Sequence, residues 1–361
     1  MKSNKHRRFL IVTVAAFSIL VLFGYYFFSP QEAEQFYPPH QEFFPSLKTT
    51  EDQDITRNTE KDENENLNFH HYVAVGNSST VGEDFDFVDE NRNTVQTILR
   101  NETFKRKPVV SVDPNTPFFD LIVPVTGASS NHFRECKANI EHFSKQFPGK
   151  RVIFYDLGLD DSQVSFVKSL PFVTLKKFEF ASYPAHVRNL HNYAWKTLII
   201  QQILAEFDGV MWFDSSVKFN GDHTHAIIER LVRHKSGFMF YVSSAGHSII
   251  TATHPRMMEY LPMEKTGAVK NMLQGGAVIV INTAEVQKYI MKWLVVCVLK
   301  TDCIAPDGST LWCNYNFPRE SFGGCHRYDQ SILNILVSNA YNYEEERYHF
   351  SNKTFAIVNR M

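Results

Sequence analysis

The sequence predicts an α/β domain with a mainly parallel sheet flanked by helices over residues 118–361. Apolar runs typical of strands alternate there with helical patterns, which indicates βαβ units joined by right-handed crossovers. The hydrophobic fraction of 43% is enough to build a core of this size. One apolar run also breaks at Asp214, as a buried strand does at its carboxyl end.

In the first half of this region, the pattern of apolar residues predicts three strands and three helices. Pro148 and Gly149 end the first helix, Asp160 or Asp161 caps the second, and Asp208 follows the amphipathic third. In chain order, these elements are a strand over 119–125, a polar turn over 126–131, a helix over 132–147, a strand over 151–156, a helix reaching residue 170, a strand over 172–180 and a helix over 193–207.

The second half continues the alternation without an internal repeat. The strand that starts at Gly209 carries Asp214, and the last helix starts near Asp329. Between them, the pattern predicts a helix over 224–234, a strand over 238–242, a strand over 275–281 and a helix over 283–299.

Residues 9–28 carry no charge and are mostly apolar. A helix of this length spans about 30 Å, the thickness of a bilayer's hydrocarbon core. The basic tail over 1–8 keeps that end in the cytosol. We therefore expect a type II signal anchor in the Golgi or endoplasmic reticulum membrane, and a cleaved signal peptide is the alternative.

Residues 29–117 predict a stem, because polar and acidic residues leave too little apolar surface to offset the cost of ordering. The domain over 118–361 then lies in the lumen of the secretory pathway. Three glycosylation sequons, at Asn77, Asn101 and Asn352, agree with that placement.

Four of the five cysteines lie close together, which in an oxidising compartment predicts two local disulfides. The candidates, for which three pairings are possible, are Cys297, Cys303, Cys313 and Cys325. Cys136 is then left as a buried thiol on a helix. Zinc is the rival interpretation, and the spacings are not of the paired C-x-x-C type.

Composition and missing motifs exclude several classes. A formal net charge of -2 disfavours a nucleic-acid binder. The first strand is followed by neither a Rossmann glycine fingerprint nor a P-loop, which disfavours dinucleotide enzymes and kinases. The absence of Gly-x-Ser-x-Gly disfavours α/β-hydrolases.

Asp214 is the first candidate site residue, because ligands of open α/β sheets bind beyond the carboxyl ends of strands. A metal or a phosphate-bearing ligand is the functional interpretation, and a turn or helix-capping aspartate is the alternative. Ser216 lies two residues further on, so on a strand it would face the same side as Asp214.

Five landmarks follow one another along the chain. They are Thr126 with Gly127, a helix with Arg188 and Lys196, the run Asp214-Ser215-Ser216, the run 273–282 with Gly275 and Gly276, and the run 325–334 with His326 and Asp329. In this order they resemble the GT-A fold of nucleotide-sugar glycosyltransferases, and family 8 of these enzymes is similar. The luminal region most resembles an animal membrane-anchored family of unknown function that is nucleotide-diphospho-sugar-transferase-like.

This resemblance implies transfer of a sugar from a nucleotide-sugar donor to a glycan, glycoprotein or glycolipid acceptor. Arg188 and Lys196 would lie near the donor diphosphate, and the two glycines would let the backbone approach the sugar. The implied donor contacts are Thr126, Gly127, Arg188, Lys196, Ser216, Gly275 and Gly276. The region that would shape the acceptor side contains His247, His254 and Glu264. The resemblance assigns no function to these three residues.

Asp214 and Asp329 are the implied catalytic residues, with Asp329 as the base if transfer inverts the anomeric centre. A divalent cation, Mn²⁺ or Mg²⁺, would bridge the diphosphate to Asp214, with His326 or Asp329 completing its ligands. Ser216 departs from the acidic residue of the family pattern, so a metal-free mechanism is also open. A helix cap is the alternative for Asp329, and a hydrogen-bonded structural histidine is the alternative for His326.

Two further functions compete with glycosyl transfer. The departure at Ser216 suggests an inactive relative that binds a glycan or a protein. A sulfotransferase would instead use residues 126–130 as a phosphate loop before a helix N-terminus, although that turn holds no lysine or arginine.

Overall fold

The computed structural model describes residues 111–313, 318–350 and 356–358. The predicted tail, the membrane anchor over 9–28, most of the stem and the sequons at Asn77, Asn101 and Asn352 therefore lie outside the described residues. Residues 111–117 of the predicted stem are described and contain neither a helix nor a strand. Within the described ranges, no helix combines the length and the apolar character needed to cross a membrane.

Strands and helices alternate along the described chain. The strands are β1 Ile122–Ala128, β2 Val152–Asp156, β3 Val173–Lys177, β4 Gly209–Phe213, β5 Val217–Phe219, β6 Phe238–Phe240, β7 Ser244–Ser248, β8 Asn271–Leu273, β9 Ala277–Ile281 and β10 Ala356–Val358. The α-helices are α1 Phe118–Leu121, α2 Phe133–Gln146, α3 Asp161–Ser169, α4 Ala194–Glu206, α5 Thr224–Arg233, α6 Pro255–Tyr260, α7 Lys265–Ala268, α8 Lys292–Leu299, α9 Thr301–Ile304, α10 Asp329–Ala340 and α11 Glu345–Tyr348. The 3-10 helices are Ser130–His132, Phe180–Ser182, Ala185–Arg188 and Leu190–Asn192, and a π-helical segment covers Val286–Met291.

The central sheet has six strands in the order β3-β2-β1-β4-β9-β6. Strands β3, β2, β1 and β4 pair in parallel, whereas β9 is antiparallel to both β4 and β6. Two smaller antiparallel sheets join β5 to β10 and β7 to β8. The prediction of a mainly parallel α/β sheet flanked by helices is confirmed.

Side chains of the sheet alternate between two apolar layers, as the two-residue period of a strand requires. On one face, Trp212 and Val280 pack with residues of α4, α8 and α10. On the other face, Phe213 and Ile279 pack with residues of α2 and α5. Every residue of β4 and β9 is buried, so the strand before Asp214 is fixed from both sides.

Several predicted boundaries are wrong in ways that matter for the site. The first strand runs three residues later than predicted, because residues 118–121 form α1, so Thr126 and Gly127 belong to β1 and not to a turn. The predicted amphipathic helix corresponds to α4, which is buried almost all round and therefore carries little amphipathic signal. Arg188 ends a separate 3-10 helix and does not lie on α4.

The expected cysteine chemistry is confirmed. Cys297 pairs with Cys303, and Cys313 pairs with Cys325. Cys136 is a free thiol buried on α2. Burial raises the pKa of this thiol to about 12, which keeps it protonated and inert at neutral pH.

Candidate active site

Lys196 joins two aspartates at the carboxyl end of β4. Its Nζ lies 2.6 Å from Oδ2 of Asp329 and 3.1 Å from Oδ1 of Asp214. Lys196 is 2% exposed and Asp329 is 5% exposed, whereas the side chain of Asp214 is 35% exposed. We call these three residues the lysine–aspartate triad. Asp214 is the member that a ligand can reach.

Backbone contacts fix Asp214 where β4 ends. Its amide donates to the carbonyl of Gly276 at 2.7 Å, and its own carbonyl accepts from Asn139 Nδ2 at 3.0 Å. The Thr126 hydroxyl donates to the carbonyl of Phe213 at 2.7 Å, which ties the end of β1 to the end of β4. Because α2, β1 and the turn before β9 all hold this corner, the backbone that carries the carboxylate is rigid.

Trp212 orients the carboxylate itself. Its indole Nε1 donates to Asp214 Oδ1 at 2.7 Å, the same oxygen that faces Lys196. The ammonium of Lys196 also lies 5.9 Å from the centre of the Trp212 ring. Within the described part of the chain, the hydrogen bond from Trp212 and the ion pair with Lys196 both involve Oδ1 of this carboxylate. The other oxygen, Oδ2, faces Gly276.

The charges of the triad keep Lys196 protonated. Burial alone would lower the pKa of its amine, but Asp214 and Asp329 outweigh that effect and hold the pKa above its usual range. Burial raises the pKa of Asp329, and the Lys196 ammonium offsets only part of that effect. Lys196 Nζ also donates to the carbonyl of Gly275 at 3.1 Å, so three oxygen atoms accept from the ammonium.

Two tyrosines with positive φ angles directly precede the two helices that carry Lys196 and Asp329. Tyr193 (φ 54°) precedes α4, three residues before Lys196, and Tyr328 (φ 47°) precedes α10 and is followed directly by Asp329. A positive φ is uncommon for a bulky residue and is often found at functional sites. The two rings also pack against each other, with centroids 6.2 Å apart.

The glycine pair predicted to allow a close approach lies next to the triad. A Cβ on Gly276 would be 3.3 Å from Asp214 Oδ2, and a Cβ on Gly275 would be 3.4 Å from Cα of Gln330. These glycines form the turn between β8 and β9. Glycine at 276 therefore leaves room for the exposed carboxylate oxygen.

The expected partnership of Asp214 with Ser216 rests on a strand geometry that the structure does not have. The amide of Val217 donates to the carbonyl of Asp214 at 3.0 Å, which closes a turn over residues 214–217. The two-residue period of a strand therefore does not apply, and Ser216 is a half-buried turn residue.

Three other predicted residues make no described contact with the Asp214 carboxylate. Thr126 and Gly127 are buried within β1, where a Cβ on Gly127 would come within 3.0 Å of the Tyr155 carbonyl. This placement removes the start of the phosphate loop that a sulfotransferase would need. Arg188 is exposed at the end of its 3-10 helix, and no described contact joins it to the triad.

His326 is a buried structural histidine. Its Nε2 lies 3.0 Å from the carbonyl of Ile304, and its Nδ1 accepts from the amide of His254 at 3.1 Å. Burial lowers its pKa to about 4, so the ring is neutral at pH 7. Because backbone groups engage both ring nitrogens, we leave His326 out of the candidate site.

The described residues do not fit a metal centre held by the protein alone. The Lys196 ammonium lies between the two carboxylates that would otherwise share a cation. Across the described ranges, no cluster of three histidine, cysteine, aspartate or glutamate side chains is arranged to bind a metal.

Sequence patterns did not reveal three of the supporting residues. Trp212 precedes Asp214 by two residues, and strand periodicity could have placed both on one side. Asn139 lies 75 positions from Asp214, and nothing local indicates their contact. The backbone of Tyr328 carries no sequence signal either, because tyrosine is not a residue that favours positive φ.

An open cavity of about 540 Å³ lies elsewhere, around α1, the end of α2 and the start of α5. Its lining includes Phe119, Phe147, Lys150 and His225 and none of the triad residues. The Lys150 ammonium lies 5.0 Å from the centre of the Phe119 ring at this cavity. We assign the candidate site to the triad because the charged groups converge there.

Comparison with known proteins gives one family model and several distant structures. The model, described as a protein of unknown function (DUF1647), matches residues 57–201. No curated protein sequence matches the chain.

The similar solved structures include three glycosyltransferases. The galactosyltransferase LgtC, in complex with donor and acceptor sugar analogues, is 13% identical over 59% of this chain and 69% of that chain, with a TM-score of 0.32. The bifunctional glycosyltransferase WbbM is 13% identical over 64% and 39%, with a TM-score of 0.38. The S. cerevisiae mannosyltransferase Ktr4p, in complex with GDP, is 9% identical over 70% and 77%, with a TM-score of 0.37. At TM-scores this low, the site assignments rest on this chain's own residues.

Proposed function

We propose that this protein is a glycosyltransferase that uses a nucleotide-sugar donor. The observation that carries the proposal is the half-exposed Asp214 carboxylate, held by Lys196 and Trp212 at the carboxyl end of β4. Ligands of open α/β sheets bind at this edge. The order of the motifs, which resembles that of GT-A enzymes, supports the same assignment.

Asp214 is the residue that we expect to touch the donor. Its Oδ2 faces the space beside Gly276, where it can accept hydrogen bonds from sugar hydroxyls. A bare carboxylate there would repel the donor diphosphate. The Lys196 ammonium lies directly behind Asp214 and reduces that repulsion, which favours binding of a negatively charged leaving group.

Asp329 acts on the donor indirectly in this proposal. Its carboxylate is 5% exposed and lies 2.6 Å from the Lys196 ammonium, so an acceptor hydroxyl does not reach it in this arrangement. Asp329 is therefore a positioning residue that fixes Lys196 under Asp214. Asp329 is then not the general base that its place in the sequence predicts. Another group of the protein, or a group of the substrate, takes that role.

We further propose that the enzyme works in the lumen of the secretory pathway, anchored by residues 9–28 as a type II protein. Two disulfides support an oxidising compartment. The acceptor is then a glycan, glycoprotein or glycolipid that passes through the same compartment. If the donor brings a divalent cation, Asp214 would be the residue that holds it, and the cation would act as a Lewis acid on the leaving group.

Donor hydrolysis by the purified full-length protein tests this function. We expect one nucleotide-sugar from a panel of UDP-, GDP- and CMP-sugars to lose its sugar, to water or to an added acceptor. Asp214→Asn keeps the shape of the side chain and should lower that rate by about 100-fold. Asp161→Asn, at an exposed position on α3, is the matched control and should leave the rate unchanged. Equal rates for wild type and Asp214→Asn would contradict the proposal.

A glycan-binding module without turnover is the second candidate. Two observations favour it. Asp214 Oδ1 is already engaged by both Lys196 and Trp212, and Asp329 is buried. In that case the panel would show binding of an oligosaccharide without sugar release from any donor.

A further inference from the structure

A second group of charged residues converges beside the β7–β8 pair. His247 lies on β7, and Arg327 and Arg319 belong to the segment that leads to α10. None of the three takes part in the triad. We call His247, Arg319 and Arg327 the basic cluster.

Arg327 is placed next to His247 by its own backbone. Its amide donates to the carbonyl of Ala252 at 3.1 Å and lies 3.1 Å from the Ser331 hydroxyl oxygen, which in turn donates to the same carbonyl at 2.9 Å. One guanidinium nitrogen, Nη2, then lies 3.5 Å from His247 Nε2. The Nε of Arg327 is buried and has no hydrogen-bond partner. A buried donor without a protein partner is completed by a water or by an oxygen of a ligand.

Arg319 contacts both strands of the β7–β8 pair. Ser248 on β7 is paired with Asn271 on β8. The Arg319 guanidinium donates to Asn271 Oδ1 at 2.5 Å, and the Arg319 carbonyl accepts from the Ser248 hydroxyl at 2.6 Å. Because Ser248 follows His247, these contacts hold Arg319 at the end of β7 where His247 lies.

The basic cluster carries positive charge that the described residues do not balance. Arginines elsewhere, such as Arg256 and Arg347, form ion pairs with acids, but no described acid lies within ion-pair distance of Arg319 or Arg327. Burial and the two nearby guanidinium groups lower the pKa of His247, so its ring is neutral and can accept from Arg327. The Arg327 guanidinium thus contacts a neutral ring, and the Arg319 guanidinium lies near enough to lower the pKa of that ring.

The basic cluster lies close to the triad along the chain and in the fold. Arg327 precedes Asp329 by two residues, and β8 leads into the turn at Gly275. The Asn334 side chain on α10 bonds both the amide and the carbonyl of Leu273, at 2.7 and 2.9 Å, which clamps β8 to the helix that carries Asp329. Any ligand on the cluster is therefore held in a fixed place relative to Asp214.

We propose that the basic cluster binds a sulfate, phosphate or carboxylate group of the acceptor, which makes the acceptor an anionic glycan. This inference rests on the proposed glycosyltransferase function and names its substrate class. Guanidinium groups suit oxyanions because their planar N–H donors match two oxygens at once. The donor diphosphate also carries oxyanions that guanidinium groups could bind. In an open α/β sheet, however, a nucleotide binds at the carboxyl ends of the strands, here around β1 and β4. The cluster instead lies on β7, which follows the outer strand β6.

Binding of matched oligosaccharides to the full-length protein tests this proposal. Each probe pair consists of one neutral oligosaccharide and the same oligosaccharide with a single sulfate, phosphate or uronic acid group. We expect wild type to bind one charged member about 10-fold more tightly than its neutral partner, the effect of one charge-assisted contact. Arg319→Gln and Arg327→Gln should each remove most of that difference, and Arg327→Lys should restore part of it. Arg233→Gln, which changes an exposed arginine on α5, should leave the difference intact.

Nucleotide binding by the same variants separates this proposal from the proposed function. We expect the thermal shift caused by UDP, GDP or CMP to be unchanged in Arg319→Gln and Arg327→Gln. Loss of that shift would assign the cluster to the donor and overturn the proposal. Equal binding of charged and neutral probes by wild type would also overturn it. If no nucleotide binds but the charge preference depends on both arginines, the anion site stands and the transferase function fails. Because Arg319 is exposed, Arg319→Gln remains a valid test if Arg327→Gln does not fold.

Discussion

Lys196 and Asp329 lie 133 positions apart in the chain, yet their charged atoms are 2.6 Å apart in a buried pair. Lys196 lies on α4 and Asp329 is the first residue of α10. The pair forms only when both helices pack on the same face of the sheet. The candidate site is therefore complete only in the folded protein, and the position of the Asp214 carboxylate depends on the buried salt bridge between Lys196 and Asp329.

Removing the Lys196 ammonium should destabilise the protein severely. Lys196→Met leaves two carboxylates close together in a buried corner without a cation. Loss of one partner from a buried ion pair costs about 3–5 kcal/mol. We expect a decrease of that size in the free energy of unfolding, measured by urea denaturation.

Lys176→Met is the matched control for that experiment. Lys176 also pairs with a carboxylate, that of Glu206 at 2.8 Å, but the pair lies at the surface. Surface pairs contribute about 1 kcal/mol or less. Similar losses for the two variants would show that Lys196 is not an essential buried cation.

Gly276→Ala should impair donor binding with little effect on folding. The added Cβ would lie 3.3 Å from Asp214 Oδ2 and would crowd the oxygen that we expect to face the donor. Donor hydrolysis and nucleotide binding should fall, whereas the melting temperature should change little. Gly275→Ala is the control, since its Cβ would meet Gln330 at an ordinary contact distance of 3.4 Å. Equal effects of the two variants on donor binding would contradict this role of Gly276.

Buried His326 should make the protein sensitive to mild acid. Its pKa falls from 6.5 to about 4 on folding, so the unfolded chain takes up a proton first as the pH decreases. Stability is complete above pH 6.5 and is lost as the pH falls toward the folded pKa. Between about pH 7.5 and about pH 5, this group should cost about 2 kcal/mol of unfolding free energy.

His326→Gln isolates that contribution, because an amide can donate to Ile304 and accept from His254 without titrating. We expect the variant to lose clearly less stability than wild type over the same pH interval in urea denaturation. The same pH dependence in both proteins would show that other groups are responsible.

Thiol labelling should find one reactive cysteine, and only after unfolding. The four paired cysteines are oxidised, and the Cys136 thiol is fully buried with a pKa raised to about 12. Without reductant, we expect no maleimide adduct on the native protein and one adduct in guanidinium chloride, measured by mass spectrometry. Adducts on the native protein, or more than one after unfolding, would contradict this assignment.

Local patterns predicted the parts of the fold that depend on neighbouring residues. The apolar run before Asp214 became β4, and the capped segment after Asp160 became α3, with a capping box between Asp160 and Gln163. The helix at Thr224 starts where predicted, because its apolar residues recur on one face. The pairs β5–β10 and β7–β8 were missed, because β5, β8 and β10 have only three residues each and β7 has few apolar residues, so none of them gives a periodic signal.

The candidate site was only partly predictable, because sequence patterns report on neighbouring residues and not on contacts between distant ones. Lys196, Asp214, Asp329 and the glycine pair were identified one by one, and the structure brings all of them together. Their arrangement around one ammonium depends on contacts across more than a hundred positions. Arg188 was attached to the wrong element, because the residues before Ala194 form short 3-10 helices that lack the period of an α-helix.

Thermal unfolding of the full-length protein with nucleotides tests the central claim most directly. We would scan UDP, GDP and CMP with and without Mn²⁺ on wild type and on Asp214→Asn. We expect one nucleotide to raise the melting temperature of wild type, and a requirement for Mn²⁺ would show that the donor brings a cation to Asp214. The increase should disappear or shrink strongly in Asp214→Asn. No increase with any nucleotide, or an equal increase in both proteins, would contradict a donor site at the lysine–aspartate triad.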